Sequence, residues 1–330
     1  MTCPIILRID LGMHIRCGLT YNGLPLSIFP IGVIGGFVSP NASQLSALSG
    51  LFSPAVFREI ARKGHSALCA RLFAQAGVEC SVRETVGDAF DTAFSVLRRS
   101  GFRNEYVYRA ALTQNILLGT HSLKSACMLT EFRAGSCKAD LAILNGTATV
   151  YEIKSERDSL SRLSNQLENY KKVFAKIYVI AGENHIETIL QSTPVNVGVM
   201  CLNRRNRITR IRDASDGAST VCPVAIFESL RSDEAREILS SLGIFTPDVP
   251  NTILRRVMRD AFVGLDPEST HNAMVKTLKR SRSLAPLAVF VERLPQSLRS
   301  AALTTQVRCA DQERLVEALK TPFSVAMEWN

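Results

Sequence analysis

Asp140, Glu152 and Lys154 are the side chains of this 330-residue chain whose types and spacing could do chemistry together. They lie in the stretch Ala139–Lys154, where two short apolar runs flank an Asn145-Gly146 turn signal. Asp140 opens the first run, and Glu152 and Lys154 close the second. Successive side chains of a strand alternate faces, so Glu152 and Lys154 share one face while Tyr151 and Ile153 point the other way. Two carboxylates and an ammonium on adjacent strands can bind a hard divalent cation and activate a water beside it.

Sharing a cation sets a condition on the hairpin. Directly opposed residues of an antiparallel pair point to the same face. A two-residue loop at Asn145-Gly146 would oppose Leu144 to Thr147 and Asp140 to Tyr151, which puts Asp140 and Glu152 on opposite faces. A common site therefore needs a three- or five-residue loop, such as Asn145–Thr147 with a bulge.

The surrounding chain must hold this hairpin in a sheet. Ser53-Pro54 predicts a helix running to about Ala76 and stopping at Gly77. Further helices are expected over about Val86–Arg99 and Asn104–Leu118, each followed by a glycine. Short β-rich runs follow at 126–132, 139–144 and 149–154, then a helix Asp158–Ala175 and a strand 176–181. Helix Ile186–Gln191, strand Val197–Leu202, a basic turn and strand Ile208–Arg212 complete an α/β pattern, a mixed sheet flanked by helices. The organisation expected is an extension over 1–50 with no assignable role, a helical region over 51–102, an α/β core over 103–212, and a helical region over 213–330.

Composition narrows the setting. With 46% hydrophobic and 21% charged residues, the chain can bury a sizeable core. A net charge of +9 favours polyanionic partners, nucleic acid above all. Nine scattered cysteines without a C-x-x-C pair imply a reducing cytoplasm and no structural zinc. The five histidines are dispersed, none at H-x-x-x-H spacing. Leu24–Val38, interrupted by prolines and glycines, is shorter than the roughly 20 apolar residues of a membrane span. The start also lacks the basic segment of a signal peptide, so no membrane partner is expected. No G-x-x-x-x-G-K loop is present, which argues against ATP.

Two basic features could meet phosphate. Arg204, Arg205, Arg207, Arg210 and Arg212 crowd one loop and strand, where the plain reading is a solvated turn. Helices Thr252–Phe262 and Pro267–Ser281, joined by Val-Gly-Leu-Asp, resemble a helix-turn-helix. Arg255, Arg256, Arg259, Lys276, Lys279, Arg280 and Arg282 make the region a candidate nucleic-acid-binding surface.

The D…E-x-K pattern of Asp140, Glu152 and Lys154 resembles the signature of the PD-(D/E)XK superfamily, the restriction-endonuclease-like nucleases. Gln166 and Tyr170, four apart on the following helix, look like the Q-x-x-x-Y pair of its RecB-type branch. The run Glu152–Leu163 resembles a stand-alone bacterial family of such nucleases, and the likeness spans about Asn104 to Arg212. Ala139 stands where the superfamily name has proline, which is not a ligand. The resemblance implies a restriction-endonuclease-like core and a Mg²⁺- (or Mn²⁺-) dependent endonuclease, acting on DNA rather than RNA. Asp140, Glu152 and the Ile153 carbonyl would hold the metal, and Lys154 would orient or deprotonate the attacking water, for which its pKa must fall. Glu131 is the favoured third acid, with Glu105 on the first helix as the alternative and a structural salt bridge as Glu131's plainer reading. Gln166 and Tyr170 would support substrate or Lys154, although Tyr170 also fits an apolar core stripe. Arg133 and Lys138 are phosphate candidates or solvated surface. Restriction-like enzymes often pair, so a homodimer is compatible. The alternatives are an RNase with the same site, or an inactive nucleic-acid-binding regulatory protein.

Overall fold

Six strands form one mixed sheet in sequence order: β1 (Cys127–Ala134), β2 (Cys137–Asn145), β3 (Thr147–Lys154), β4 (Lys176–Ala181), β5 (Gly198–Leu202) and β6 (Ile208–Arg212). The computed structural model describes residues 39–81 and 83–330, so Leu24–Val38 lies outside the described residues. β1, β2 and β3 run as an antiparallel meander, β3–β4 and β4–β5 are parallel, and β6 returns antiparallel to β5. Parallel neighbours cannot be joined by a tight turn, and the segments after β3 and β4 supply the helical crossovers. Alternation is strict: Leu141, Ile143, Tyr151, Ile153, Tyr178 and Ile180 face one core, and Ala142, Leu144, Val150, Val179 and Val199 the other. Both faces are covered, which is why these strands read as nearly continuous apolar runs.

The helices cover the two faces in an order that does not follow the chain. The first face carries α1 (Ala42–Leu51), α2 (Pro54–Lys63), α3 (Ala67–Ala76), α4 (Val86–Leu97) and α5 (Glu105–Leu112). The second is covered by α6 (Leu163–Tyr170), α7 (Ile186–Ser192), α8 (Pro223–Ser229), α9 (Ser232–Ser241), α10 (Asn251–Val263) and α11 (Pro267–Ser281). The chain then returns to the first face with α12 (Ala288–Glu292), α13 (Arg299–Thr304), α14 (Cys309–Leu319) and α15 (Phe323–Ala326). Regions drawn from sequence at 51–102, 103–212 and 213–330 thus share their cores within the unit Pro40–Asn330.

Local chemistry explains where the helices begin and end. α1 is fixed by a reciprocal cap, Gln44 N–H to Asn41 Oδ1 and Asn41 N–H to Gln44 Oε1, an N-x-x-Q signal inside the segment left without a role. The helix expected over Ser53–Ala76 is two helices. Gly64 closes α2 at φ 80°, and Ser66 caps α3 by accepting from the Cys69 N–H at 3.0 Å. α6 begins at Leu163, later than expected, because Asp158 is engaged upstream, accepting from the Ser155 N–H at 2.8 Å.

The second helix of the pair that resembles a helix-turn-helix packs one face into the core. α11 buries Thr270, His271, Ala273, Met274, Val275, Thr277 and Leu278, and it packs on β2 and β3. Its opposite face, with Glu268, Asn272, Lys276 and Arg280, is exposed. Its basic neighbours serve the fold: Arg282 donates to both oxygens of Glu234 at 2.7 and 2.8 Å, and Arg280 pairs with Glu237. Arg259 pairs with Glu228 at 3.6 Å, and the Arg255 guanidinium lies 4.7 Å from the Phe227 ring centroid.

Gly135, in the turn between β1 and β2, has φ 59°, and a Cβ there would meet Asn169 Oδ1 at 2.2 Å. That oxygen cannot easily move: it accepts from the Ser136 N–H at 3.2 Å, while Asn169 Nδ2 donates to the Asn165 carbonyl at 2.8 Å. Gly146 has φ 71° with nothing within 4 Å of its added Cβ. Gly135→Ala is therefore expected to cost about 2–4 kcal/mol in urea unfolding, combining backbone strain and overpacking. Gly146→Ala should cost only the left-handed backbone, about 1 kcal/mol. Equal losses would show that the Gly135–Asn169 approach does not matter.

Candidate functional site

The hairpin has the parity that a shared site requires. Asn145 pairs with Thr147 across Gly146, and Leu141 pairs with Tyr151, so the register carried one step further sets Asp140 opposite Glu152. Asp140 also reaches the partner strand directly, its Oδ2 accepting from the Ile153 N–H at 2.8 Å.

Glu152 and Lys154 are buried, at 1% and 4% exposure, so their charges need partners inside the protein. Lys154 Nζ donates to Glu152 Oε1 at 2.7 Å and to Gln166 Oε1 at 2.9 Å. The Tyr170 hydroxyl lies 2.7 Å from Glu152 Oε2 and 2.9 Å from the Lys138 carbonyl, two acceptors that share its single proton. Gln166 and Tyr170 thus reach the lysine and the glutamate from one face of α6. Tyr170 is fully buried as well, so its core and polar readings both hold. Burial and the neighbouring Glu152 push the phenol's ionisation upward, which keeps it a proton donor.

Negative charge exceeds positive charge here. Burial, first, and the charges of Glu152 and Glu105 push the Asp140 carboxyl up to about 7, against the opposing pull of the Ile153 N–H and Lys154. One ammonium cannot compensate two carboxylates in a poorly solvated place, so the ionised pair is short of a cation.

Glu105 takes part in this field and Glu131 does not. Glu105, in the first turn of α5, is paired with Arg109 and lies close enough to raise Asp140. Glu131 falls opposite Asp140 in the β1–β2 register, but its φ of 51° interrupts the pairing between Thr130–Leu141 and Phe132–Ala139. Its side chain is 62% exposed and sits 3.8 Å from Lys138. Both candidate third acids are exposed and ion-paired elsewhere, Glu105 at 47% with Arg109 and Glu131 with Lys138 in the salt bridge of its plainer reading. Among the described residues, no three His, Cys, Asp or Glu side chains converge as a metal-binding group. Arg133 is exposed, its Nε donating to the Gly135 carbonyl at 3.3 Å.

Sequence reasoning missed Arg103. Its buried guanidinium donates to the carbonyls of Leu202 at 2.7 Å and Asn203 at 2.8 Å, tying the start of α5 to the end of β5. Only its place beside the Asn104 cap signals this. Within the basic loop, Arg204 pairs with Glu183 at 3.1 Å and Arg210 with Asp213 at 3.0 Å. Arg212 donates to the Val197 carbonyl at 2.7 Å and to Thr193 Oγ1 at 2.5 Å, a structural role.

Residues 98–300 match the family described as Bacteriophage P4 protein cII. The chain belongs to that family. The matched segment begins just after α4 and contains the whole sheet and every residue of the acidic cluster. The chain is similar to Protein cII of Enterobacteria phage P4, with 31% identity over 111 residues, 33% of this chain. The alignment spans 42% of that relative's length. A solved structure, a protein of unknown function from Silicibacter pomeroyi, aligns over 44% of this chain and 92% of its own length, at 15% identity and a TM-score of 0.28.

The Asp140 shift fixes a sign for stability. A carboxyl raised in the folded state keeps a proton that the unfolded chain has already released. Asp140 therefore stabilises least above about pH 7, and its cost fades as pH falls toward the ordinary carboxyl range. Asp140→Asn, whose amide oxygen can still accept from Ile153, is expected to unfold later than the parent at pH 8 in chelator, by roughly 2 kcal/mol. The gain should shrink toward pH 4. A gain independent of pH would mean that Asp140 is not the buried, raised carboxyl.

Proposed function

We propose that this chain is a metal-dependent nuclease of the PD-(D/E)XK kind, hydrolysing phosphodiester bonds in DNA, and that it works in the cytoplasm. One observation carries the reading: half-buried Asp140 stands opposite buried Glu152 with buried Lys154 beside it, two carboxylates with one ammonium between them. The element order supports it. Helix α5, the meander β1–β3, helix α6 and β4 parallel to β3 follow the α/β core that the D…E-x-K resemblance implies. A net charge of +9 suits a polyanionic substrate. Seven described cysteines are free thiols, in keeping with a reducing compartment. No helix among the described residues is long and apolar enough to cross a membrane.

The donor set fits a small divalent cation. Two carboxylate side chains and a backbone carbonyl are hard oxygen ligands, and Mg²⁺ keeps several waters beside one or two carboxylates. Asp140, Glu152 and the Ile153 carbonyl would hold it. The ion would neutralise charge on a phosphoryl oxygen and acidify a water. Lys154, held by Gln166, keeps its ammonium beside that position, where it can orient the attacking water and offset developing charge. Tyr170 fixes the second Glu152 oxygen and so the direction of the carboxylate. Glu105 adds to the field on Asp140, whereas Glu131 is exposed beside Lys138.

One observation favours the inactive, nucleic-acid-binding alternative: both Glu152 oxygens are already engaged by Lys154 and Tyr170. The test that separates the readings uses purified protein, Mg²⁺ or Mn²⁺, and plasmid DNA beside structured RNA. Nicking of DNA is expected, lost with chelator and in Asp140→Ala, Glu152→Ala or Lys154→Ala. Gln166→Ala and Tyr170→Phe should slow it about 10–100-fold. Mn²⁺ should also raise the melting temperature of the parent and not of Asp140→Asn, a readout independent of cleavage. Undiminished cutting by an Asp140→Ala Glu152→Ala double variant would end this reading. Cleavage of RNA alone would move it to the RNase.

A further inference from the structure

A cavity of about 200 Å³ opens between α4, α5 and the turn before β6, away from the acidic cluster. Phe94, Val107, Ala110 and Ala111 give it an apolar wall, while Arg98, Gln114, Arg205 and Asn206 supply polar groups. Three of those polar atoms, Arg98 Nε, Gln114 Oε1 and Asn206 Oδ1, are buried without a hydrogen-bond partner. Leaving a buried donor or acceptor unmatched costs about 1–3 kcal/mol, so three around one cavity mark a place where something polar belongs.

The backbone around the cavity is shaped for it. Gln114 and Asn115 belong to a π-helical turn, Thr113–Leu117, continuing α5, a conformation concentrated at functional sites. Asn206 has φ 57°, and Asn203 Oδ1 braces the turn by accepting from the N–H groups of Arg205 at 2.9 Å and Arg207 at 3.1 Å. Of the loop's arginines, Arg205 is the one that lines the cavity. Neither it nor Arg98 has an acidic side chain within ion-pair distance among the described residues, whereas Arg204 and Arg210 do.

A ligand that satisfies this lining needs apolar faces for the wall, N–H donors for Gln114 and Asn206, and an anionic group for the two arginines. A nucleotide combines all three. We propose that this cavity binds a nucleotide unit, its base against Phe94 and the small residues of α5 and its phosphate toward Arg98 and Arg205. The unit is either a free mononucleotide or one residue of a nucleic-acid strand. This site does not depend on the acidic cluster.

The test is calorimetric titration of the full chain, in chelator, with the four nucleoside monophosphates and with phosphorylated dinucleotides. Inorganic phosphate and free nucleosides serve as controls. At least one monophosphate should bind, with phosphate alone weaker by tenfold or more. Arg205→Ala and Gln114→Leu should each weaken binding about tenfold without changing the melting temperature of the free protein by more than a few degrees. Tighter binding of dinucleotides would assign the ligand to a strand, and tighter binding of mononucleotides to a free effector. Asp140→Asn should bind as the parent does. No binding at millimolar nucleotide would mean that only water occupies the cavity and would overturn the inference, as would binding that survives both Arg205→Ala and Gln114→Leu. Loss of binding in Asp140→Asn would also overturn it, by moving the ligand to the acidic cluster. Absence of DNA cleavage with nucleotide binding intact would remove the nuclease reading alone.

Discussion

Gly146 alone separates the paired residues Asn145 and Thr147, and the parity it sets decides which side chains of β2 and β3 meet. One more residue in that turn would move Asp140 to the face opposite Glu152. The core holds the register independently of the site. Ala142 and Leu144 enter the same apolar cluster as Ala148 and Val150, so a slip would carry side chains shaped for one core into the other. A further constraint comes from α11, where buried His271 accepts from the Ala148 N–H at 3.3 Å. Burial holds that imidazole below its ordinary pKa, which keeps the accepting nitrogen free of a proton. The helix that looked from sequence like a DNA reader therefore helps fix the first residues of β3.

Charge is the second constraint, and it follows from the first. Once Asp140 and Glu152 share a face beneath α6, their mutual repulsion must be met locally. Lys154 and Tyr170 donate to Glu152, and Gln166 accepts from Lys154, while Asp140 receives one backbone N–H from Ile153. The imbalance falls on Asp140, whose carboxyl rises accordingly. A cluster selected only for stability would more simply replace Asp140 by a neutral side chain. Keeping a carboxylate there, half-buried beside Glu152, costs stability that a neutral residue would spare.

Most of the sheet was legible in the sequence because its strands are short, apolar and bounded by turn residues, and all six lie within about three residues of where the pattern puts them. Asp140, Glu152, Lys154, Gln166 and Tyr170 were legible for a related reason, since fixed strand and helix periods bring such spacings together. Three things were not. The break between α2 and α3 depends on Gly64 and the Ser66 cap, which interrupt an otherwise unbroken helical pattern. The embedding of α11 depends on which face its neighbours offer, and amphipathic periodicity does not name the partner. The layer shared by helices from both ends of the described chain arises from long-range packing that no local pattern encodes.

The placement of Glu131 shows how a backbone angle can turn a carboxylate away from its register neighbours. By strand register Glu131 belongs beside Asp140, and a residue in extended conformation there would point its carboxylate along the same face. Its left-handed φ breaks that alternation and leaves the carboxylate in solvent beside Lys138, where a surface pair is worth little. Glu105 arrives from the opposite direction, in the first turn of α5, where the helix dipole favours a carboxylate. Arg103, two residues earlier, anchors that turn to the carbonyls ending β5. The start of α5 is thus tied by a buried arginine to the end of β5, so the placement of this helix depends on the parallel strands as well as on its own cap.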